Sequence, residues 1–458
     1  MKITRRQLMG GALGAVLLPA GARAAAPATL RAGPVERQLA PEGYPPTALW
    51  GFEGSAPGPE IRLPQNARLE RRLVNGLPQA TSVHWHGIRI DNAMDGVPGL
   101  TQEAVAPGGQ FDYAFRLPDA GTYWYHSHNR STEQVARGLY GALIVEETEG
   151  RPEIDAEEVL LLDDWRMTPE AVLSDDFDNL HDRAHGGRIG NYVTTNGRGD
   201  WSRTVRRHER LRLRLVNVAN ARIFELTLLG LEGWIVALDG MPLDRPRPVQ
   251  ETLVLAPAQR ADLIVDVTAE AGETAYLVQL TPQGGMSQAA FEVMGQAAKT
   301  RRPAPDALPP NPNTGLPGLS GARRLDLRME GGAMGRLSDA MTVQGPKTIQ
   351  GLMQEGLVWA LNGFAGLPEA PLTEAALGET LRIALINDTA FPHGMHLHGH
   401  HFREILPDRL GPLRDTILVD RGERREIALV ADNPGDWLFH CHMLGHQAAG
   451  MKTWMRVA

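Results

Sequence analysis

The only cysteine of this 458-residue chain, Cys441, lies between two histidines in His440-Cys441-His442, with His446 and Met451 close behind. A single cysteine forms no intrachain disulfide, so its thiol is free for other chemistry. Thiolate, imidazole and a distant thioether make the ligand set of a blue-copper electron-transfer centre, in which methionine is the weak axial ligand. A buried structural cysteine is the plainer reading of a bare His-Cys-His, and the rest of the histidine pattern argues against it. Twelve of the 15 histidines fall in four windows: His84-Trp85-His86, His126-Ser127-His128, His393 to His401, and His440 to His446. His-X-His on a strand points both imidazoles to one face, because the side-chain period is two. Such a pair can hold one metal ion or reach two neighbouring ions. With His396-Leu397-His398, each of the four windows carries this unit.

The elements that must position these side chains read as strands. Leu211 to Leu215 alternates strictly with arginine, the pattern of a half-buried strand, and Leu381, Ile383 and Leu385 alternate likewise. Ala142 to Val145 and Leu263 to Val265 read as short buried strands. Fifty glycines and 33 prolines supply turns, so the class is mainly β, in sandwich or barrel form. An internal repeat ties strands to motifs. Gly121 to His128 matches Gly435 to His442 position for position, and Leu73-Val74-Asn75 precedes His84 by the distance that separates Leu385-Ile386-Asn387 from His396. In that register Thr81 falls on His393. A middle copy begins at Leu215-Val216-Asn217, but leucines, Leu226 and Leu228, stand at its ligand positions, so it is expected to bind no copper.

A chain this long is expected to divide into several cores. The clearest break is the proline-rich stretch 302–319; a weaker one lies near Glu147 to Pro152. The organisation read from these breaks is an export signal over 1–26, domains over 27–150, 151–301 and 320–458, and a linker over 302–319. Thr4-Arg5-Arg6-Gln7-Leu8-Met9-Gly10, an apolar stretch and Ala22-Arg23-Ala24 form a twin-arginine-type signal, which places the protein in the periplasm. The apolar stretch is too short to span a membrane, and no transmembrane anchor is expected elsewhere. Removing residues 1–24, which hold four basic residues and no acidic ones, takes the formal charge from −8 to −12. An acidic body argues against nucleic acid as a partner.

Taken together, these motifs resemble the three-domain bacterial multicopper oxidases of the laccase and cuprous-oxidase type, over almost the whole mature chain. The resemblance implies three cupredoxin-like Greek-key β-barrel domains and a monomer. It implies four copper ions: one type 1 copper in the last domain, and a type 2 and two type 3 coppers between the first and last. By position, His393, Cys441, His446 and Met451 match the type 1 ligands. His84 and His396 match type 2. His86, His126, His128, His398, His440 and His442 match type 3. Four one-electron oxidations would then reduce one dioxygen to two waters. Asp95 matches the family's carboxylate beside the cluster, where a proton relay is expected, although Asp95-Gly96 is also a turn dipeptide. Two positions depart from the pattern. Gln447 stands where related enzymes place a second acid, and Gly394 stands where proline is common.

The reductant is less marked. Thioethers favour Cu(I), and Met329, Met334, Met341 and Met353 follow the linker in a stretch that does not read as buried strand. Met329 and Met334 are the candidate Cu(I) site, and Phe391 replaces a methionine that some relatives carry. Cu(I) is therefore the expected reductant, with small phenols or aromatic amines as the alternative. His181, His185, His208, His400 and His401 read as surface residues. A non-catalytic periplasmic shell protein would be expected to have lost ligands, and a two-domain nitrite reductase would lack the four His-X-His units.

Overall fold

Three β-sandwiches follow one another in the computed structural model, which describes residues 27–458 apart from 251, 313 and 317. The export signal lies outside the described residues. Each sandwich pairs two sheets with the same wiring. Its opening strand runs parallel to a later one: residues 28–32 beside 71–75, 156–162 beside 211–217, and 323–329 beside 381–387. Its second sheet closes with another parallel pair: 61–64 with 143–146, 202–207 with 290–296, and 373–375 with 455–457. Parallel neighbours need long crossovers, here the returns of a Greek key. The sequence repeat is therefore a repeat of topology.

The recurring asparagine closes the same loop three times. Asn75, Asn217 and Asn387 end their strands buried, and each accepts from a backbone N–H two residues on (Leu77, Ala219, Thr389). Each amide nitrogen donates to a carbonyl in the loop that follows (Gln79, Arg222, Phe391) and to one in a neighbouring segment (Val105, Leu255, Val419). In the first and third sandwiches that loop leads into a ligand strand.

The strand Arg210–Asn217 is buried along its whole length rather than half-buried. Its arginine face meets buried acids at the interface with the first sandwich. Arg212 pairs with Asp262 at 2.6 Å and Glu147 at 2.8 Å, and Arg214 reaches Glu157 at 2.9 Å and the Thr122 hydroxyl at 2.9 Å. The described residues of 302–319 carry no strand or helix, yet they are docked rather than free. Leu308 is buried against Val236, Ala237 and Ile264, and the Asn311 side chain exchanges hydrogen bonds with both backbone groups of Ala120. One continuous apolar cluster runs through the first and third sandwiches, so their ligand faces are held against each other. Among the described residues no helix is long and apolar enough to cross a membrane.

Candidate metal centre

Four strands supply the histidines. Val83–His86 pairs with Gly121–Ser127, setting His84 opposite His126, while His393–Leu397 pairs with Gly435–Cys441, setting His396 opposite His440. The two pairs meet face to face: the rings of His84 and His398 stack 3.9 Å apart, and those of His86 and His396 3.8 Å apart. The ligand atoms of His128, His398 and His440 lie within 4.8 Å of one another, as do those of His84, His396 and His398. His398 Nε2 approaches His440 Nε2 to 3.1 Å, and His442 Nε2 approaches His126 Nε2 to 3.5 Å. Eight imidazoles, four from each terminal sandwich, thus line one buried pocket.

Four of them have an outer nitrogen tied to the backbone. The Nδ1–H groups of His84, His126, His396 and His440 donate to the carbonyls of Asp95, Ser127, Asp415 and Cys441 at 2.9–3.0 Å. That fixes the tautomer and turns the Nε2 lone pairs inward. Nε2 of His84, His128 and His396 and Nδ1 of His86 and His442 are buried with no hydrogen-bond partner. Buried polar atoms are ordinarily satisfied, so a cage of converging bare lone pairs fits bound cations. Burial also holds His86, His126, His128, His398, His440 and His442 well below the ordinary imidazole value, keeping them neutral and able to ligate.

Asp95 caps a short 3-10 turn against this cage. It is fully buried; Oδ2 accepts from His398 Nδ1 at 2.8 Å, while Oδ1 lies 3.2 Å from His84 Nδ1 and takes no hydrogen bond. The turn reading holds as well, since Gly96 sits at φ +82° and a Cβ there would strike the Val83 carbonyl. Opposite lies a carboxylate outside every motif. Asp415 Oδ1 is 3.4 Å from His86 Nε2 and 3.5 Å from His396 Nδ1. Burial alone would raise its carboxyl, but the Arg260 guanidinium, bonded to it at 2.6 and 2.8 Å, holds it well below the usual carboxylate range. Arg260 belongs to the middle sandwich and also donates to the Thr122 carbonyl of the first. No sequence signal marks this pair, because its partners stand 155 residues apart.

A second, smaller centre surrounds Cys441. Its sulfur is 3.6 Å from Nδ1 of both His393 and His446, which face each other at 3.0 Å. Met451 is fully buried, and its carbonyl accepts from the Cys441 N–H. The Trp359 ring packs on His393 and His446 at 5.0 and 4.6 Å. Burial pushes the thiol up to about 12 and His446 down to about 4. His393 Nε2–H donates to the Thr389 hydroxyl, and His446 Nε2–H to the carbonyl of His185. Neither imidazole is exposed.

Two expectations need correction. Met329 lies in the strand Arg323–Gly331, fully buried in the core, because Leu325, Leu327 and Met329 alternate inward. It cannot offer a thioether to solvent, whereas Met334 is 80% exposed, so the two form no joint site. His400 is buried and the His401 side chain is only 4% exposed, so neither is a surface residue: His400 packs on Trp437, and His401 lies 3.7 Å from Asp415.

Sequence profiles described as multicopper oxidase match residues 35–150, 156–301 and 340–458. The chain is 30% identical to multicopper oxidase MmcO of Mycobacterium tuberculosis, over 93% of this chain and 86% of that protein. It is 27% identical to a copper resistance protein A homolog of Pseudomonas syringae pv. tomato, over 92% and 91%. The crystal structure of Lac15 from a marine microbial metagenome superposes with TM-score 0.76 at 44% identity, covering 94% of this chain and all of that one.

Proposed function

The chain belongs to the multicopper oxidase family, an oxidoreductase with four copper ions as cofactor, and from that membership we propose that it takes single electrons from Cu(I) and passes them to dioxygen. In this reading His393, Cys441, His446 and Met451 hold the type 1 ion, and His84 and His396 the type 2 ion. His86, His126 and His442 hold one type 3 ion, and His128, His398 and His440 the other. The bound coppers supply the one-electron steps and the reduction of dioxygen to water. The observation that carries the reading is the position of Cys441. Its sulfur points into the small centre while its chain neighbours, His440 and His442, point into the large one. The two centres are thereby joined by a few covalent bonds.

The chain's other groups orient and protonate. Ser127, Cys441, Asp95 and Asp415 present carbonyls that fix imidazole tautomers. Asp95 Oδ1, buried beside His84 Nδ1 at 3.2 Å and taking no hydrogen bond, is suited to carry protons toward oxygen. Gln447 offers no second acid. Cu(I) as reductant is supported by the relative named for copper resistance and by the exposed thioethers of Met334, Met341 and Met353. Oxidation of small phenols and aromatic amines is the second reading, favoured by the aromatic wall that Trp359 and Phe391 make beside His393. The twin-arginine signal supports work in the periplasm.

Oxygen uptake separates these readings. Four Cu(I) ions consumed per dioxygen support cuprous oxidation; uptake with a dimethoxyphenol alone supports the second reading; uptake with neither overturns oxidase function. Replacing Cys441 with serine is expected to remove the intense blue charge-transfer band and turnover, with part of the remaining copper retained. A serine variant that stayed blue would refute the assignment of Cys441.

A further inference from the structure

The register that sets Thr81 on His393 extends to every residue of the smaller centre. Ser127 stands for Cys441: its N–H donates to the Leu139 carbonyl at 3.0 Å, as the Cys441 N–H does to that of Met451 at 3.1 Å. The Leu139 N–H returns to the Gln134 carbonyl at 3.1 Å, as that of Met451 does to His446 at 3.0 Å. The short helices Ser131–Ala136 and Leu444–Ala448 carry Gln134 and His446 in matching places. Thr81, Ser127, Gln134 and Leu139 thus occupy the positions of His393, Cys441, His446 and Met451, and all four are fully buried.

None of the four offers a thiolate, imidazole or thioether, so no blue copper forms there. The three polar side chains bond to one another instead. Gln134 Oε1 accepts from the Ser127 hydroxyl at 2.5 Å and from the Thr81 hydroxyl at 2.7 Å, with the two hydroxyls 3.3 Å apart. This triangle is close in size to that of Cys441, His393 and His446, whose ligand atoms stand 3.0–3.6 Å apart. The Gln134 amide is held in that sense, because Nε2 donates to Gln79 Oε1 at 3.0 Å and to the Ala80 carbonyl at 2.8 Å. The contacts join the loop that enters the strand Val83–His86 to the end of Gly121–Ser127. Ser127 itself stands between His126 and His128, and its carbonyl takes the His126 Nδ1–H.

We propose that Thr81, Ser127 and Gln134 are a metal-free counterpart of the type 1 centre, a neutral hydrogen-bonded clasp that positions the four histidines of the first sandwich for the copper cluster. This rests on the assignment of Cys441 and its partners to type 1 copper. In the third sandwich the equivalent strand ends, at His393 and Cys441, are joined only through the ligands of that ion. The clasp makes the same join without a metal, so the first sandwich's share of the cage is set before copper binds. Outer partners of this kind orient ligands and tune their affinity. The clasp holds no redox-active group, which leaves one of the two related sites able to take up electrons.

The test uses the copper-loaded holoenzyme. Gln134→Met keeps the bulk, removes the shared acceptor and leaves the two hydroxyls able to bond to each other. The blue absorption should stay, while the near-ultraviolet absorption of the type 3 pair and the bound copper fall. Reoxidation by dioxygen should slow by about tenfold to a hundredfold, the usual cost of a lost outer partner. Gln134→His, whose ring nitrogen accepts from a hydroxyl, should recover part of these losses. The fourfold variant Thr81→His/Ser127→Cys/Gln134→His/Leu139→Met should bind one further copper and roughly double the blue absorption. A Gln134→Met enzyme with a lower thermal midpoint but unchanged type 3 absorption and reoxidation would overturn the positioning role. Equal loss of both absorptions would overturn it too, as the mark of general loosening. A fourfold variant that folds and loads the wild-type copper but no more would overturn the correspondence with type 1. A wild type that is not blue would instead overturn the type 1 assignment itself.

Discussion

Asp95 holds two jobs in one residue: its carbonyl fixes His84, and its carboxylate fixes His398 through one oxygen while the other, 3.2 Å from His84 Nδ1, takes no hydrogen bond. Asp95→Asn preserves the shape and the acceptor for His398 Nδ1–H but cannot carry a proton. Reoxidation by dioxygen should slow by about tenfold to a thousandfold, within the span of general-acid effects, while reduction of the type 1 centre proceeds at its former rate. Single-turnover kinetics separate the two steps; slowed reduction with normal reoxidation would refute the relay. At this scale the histidines and Cys441 were legible because each motif places its own chemistry within a few residues. Asp415 was not, since its carboxylate matters only through Arg260 in another sandwich and two histidines on other strands. Thr389 was equally silent, and only the fold sets its hydroxyl on His393.

Among the elements, the asparagine loops give the cleanest comparison. Asn387 spans the loop that leads into the strand of His393, and Asn217 spans the equivalent loop in the middle sandwich, which supplies none of the cage imidazoles. Either change to alanine strips several buried backbone groups of partners and should cost about 1–3 kcal/mol, read by denaturant unfolding. Only Asn387→Ala is expected to disturb the blue absorption as well. Equal spectra in both variants would show that the loop does not set the type 1 geometry. The strand pattern was legible here because alternation reports which side chains point together. It does not report what covers the outer face. Arg212 and Arg214 alternate with leucine as if facing water, and instead face Glu147, Glu157 and Asp262. Met329 belongs to a similar alternation, whose inward face hides it.

For the whole molecule, the middle sandwich, which supplies none of the eight imidazoles, still braces the metal cage. Arg260 joins Thr122 of the first sandwich to Asp415 of the third. Arg260→Met would leave a buried carboxylate uncompensated, a change that typically costs about 3–5 kcal/mol. The copper-free protein should melt lower, and the loaded protein should lose type 2 copper first, seen by electron paramagnetic resonance and metal analysis. Full type 2 occupancy would remove Asp415 from the support of His86 and His396. Acid should act on the cage and on the smaller centre alike. The unfolded chain takes up protons on these imidazoles near 6.5, whereas burial lowers the folded values, to about 4 for His446. The unfolded state therefore binds more protons below 6.5, and the copper-free fold loses stability as pH falls from there toward 4. Bound copper should flatten this dependence. Scanning calorimetry at stepped pH, with and without copper, reads both slopes.

The division of the large cage into four imidazoles from each terminal sandwich also has a meaning in time. His128 ends the first share and His396 begins the second, so a ribosome adding about 5–20 residues per second needs roughly 13–54 s to travel between them. Until then the nascent chain owns only half a cage. A prematurely terminated product, or one clipped between the sandwiches and separated, would carry chelating pairs without a catalytic cluster. Completion of the cluster is thus a certificate that the polypeptide was finished.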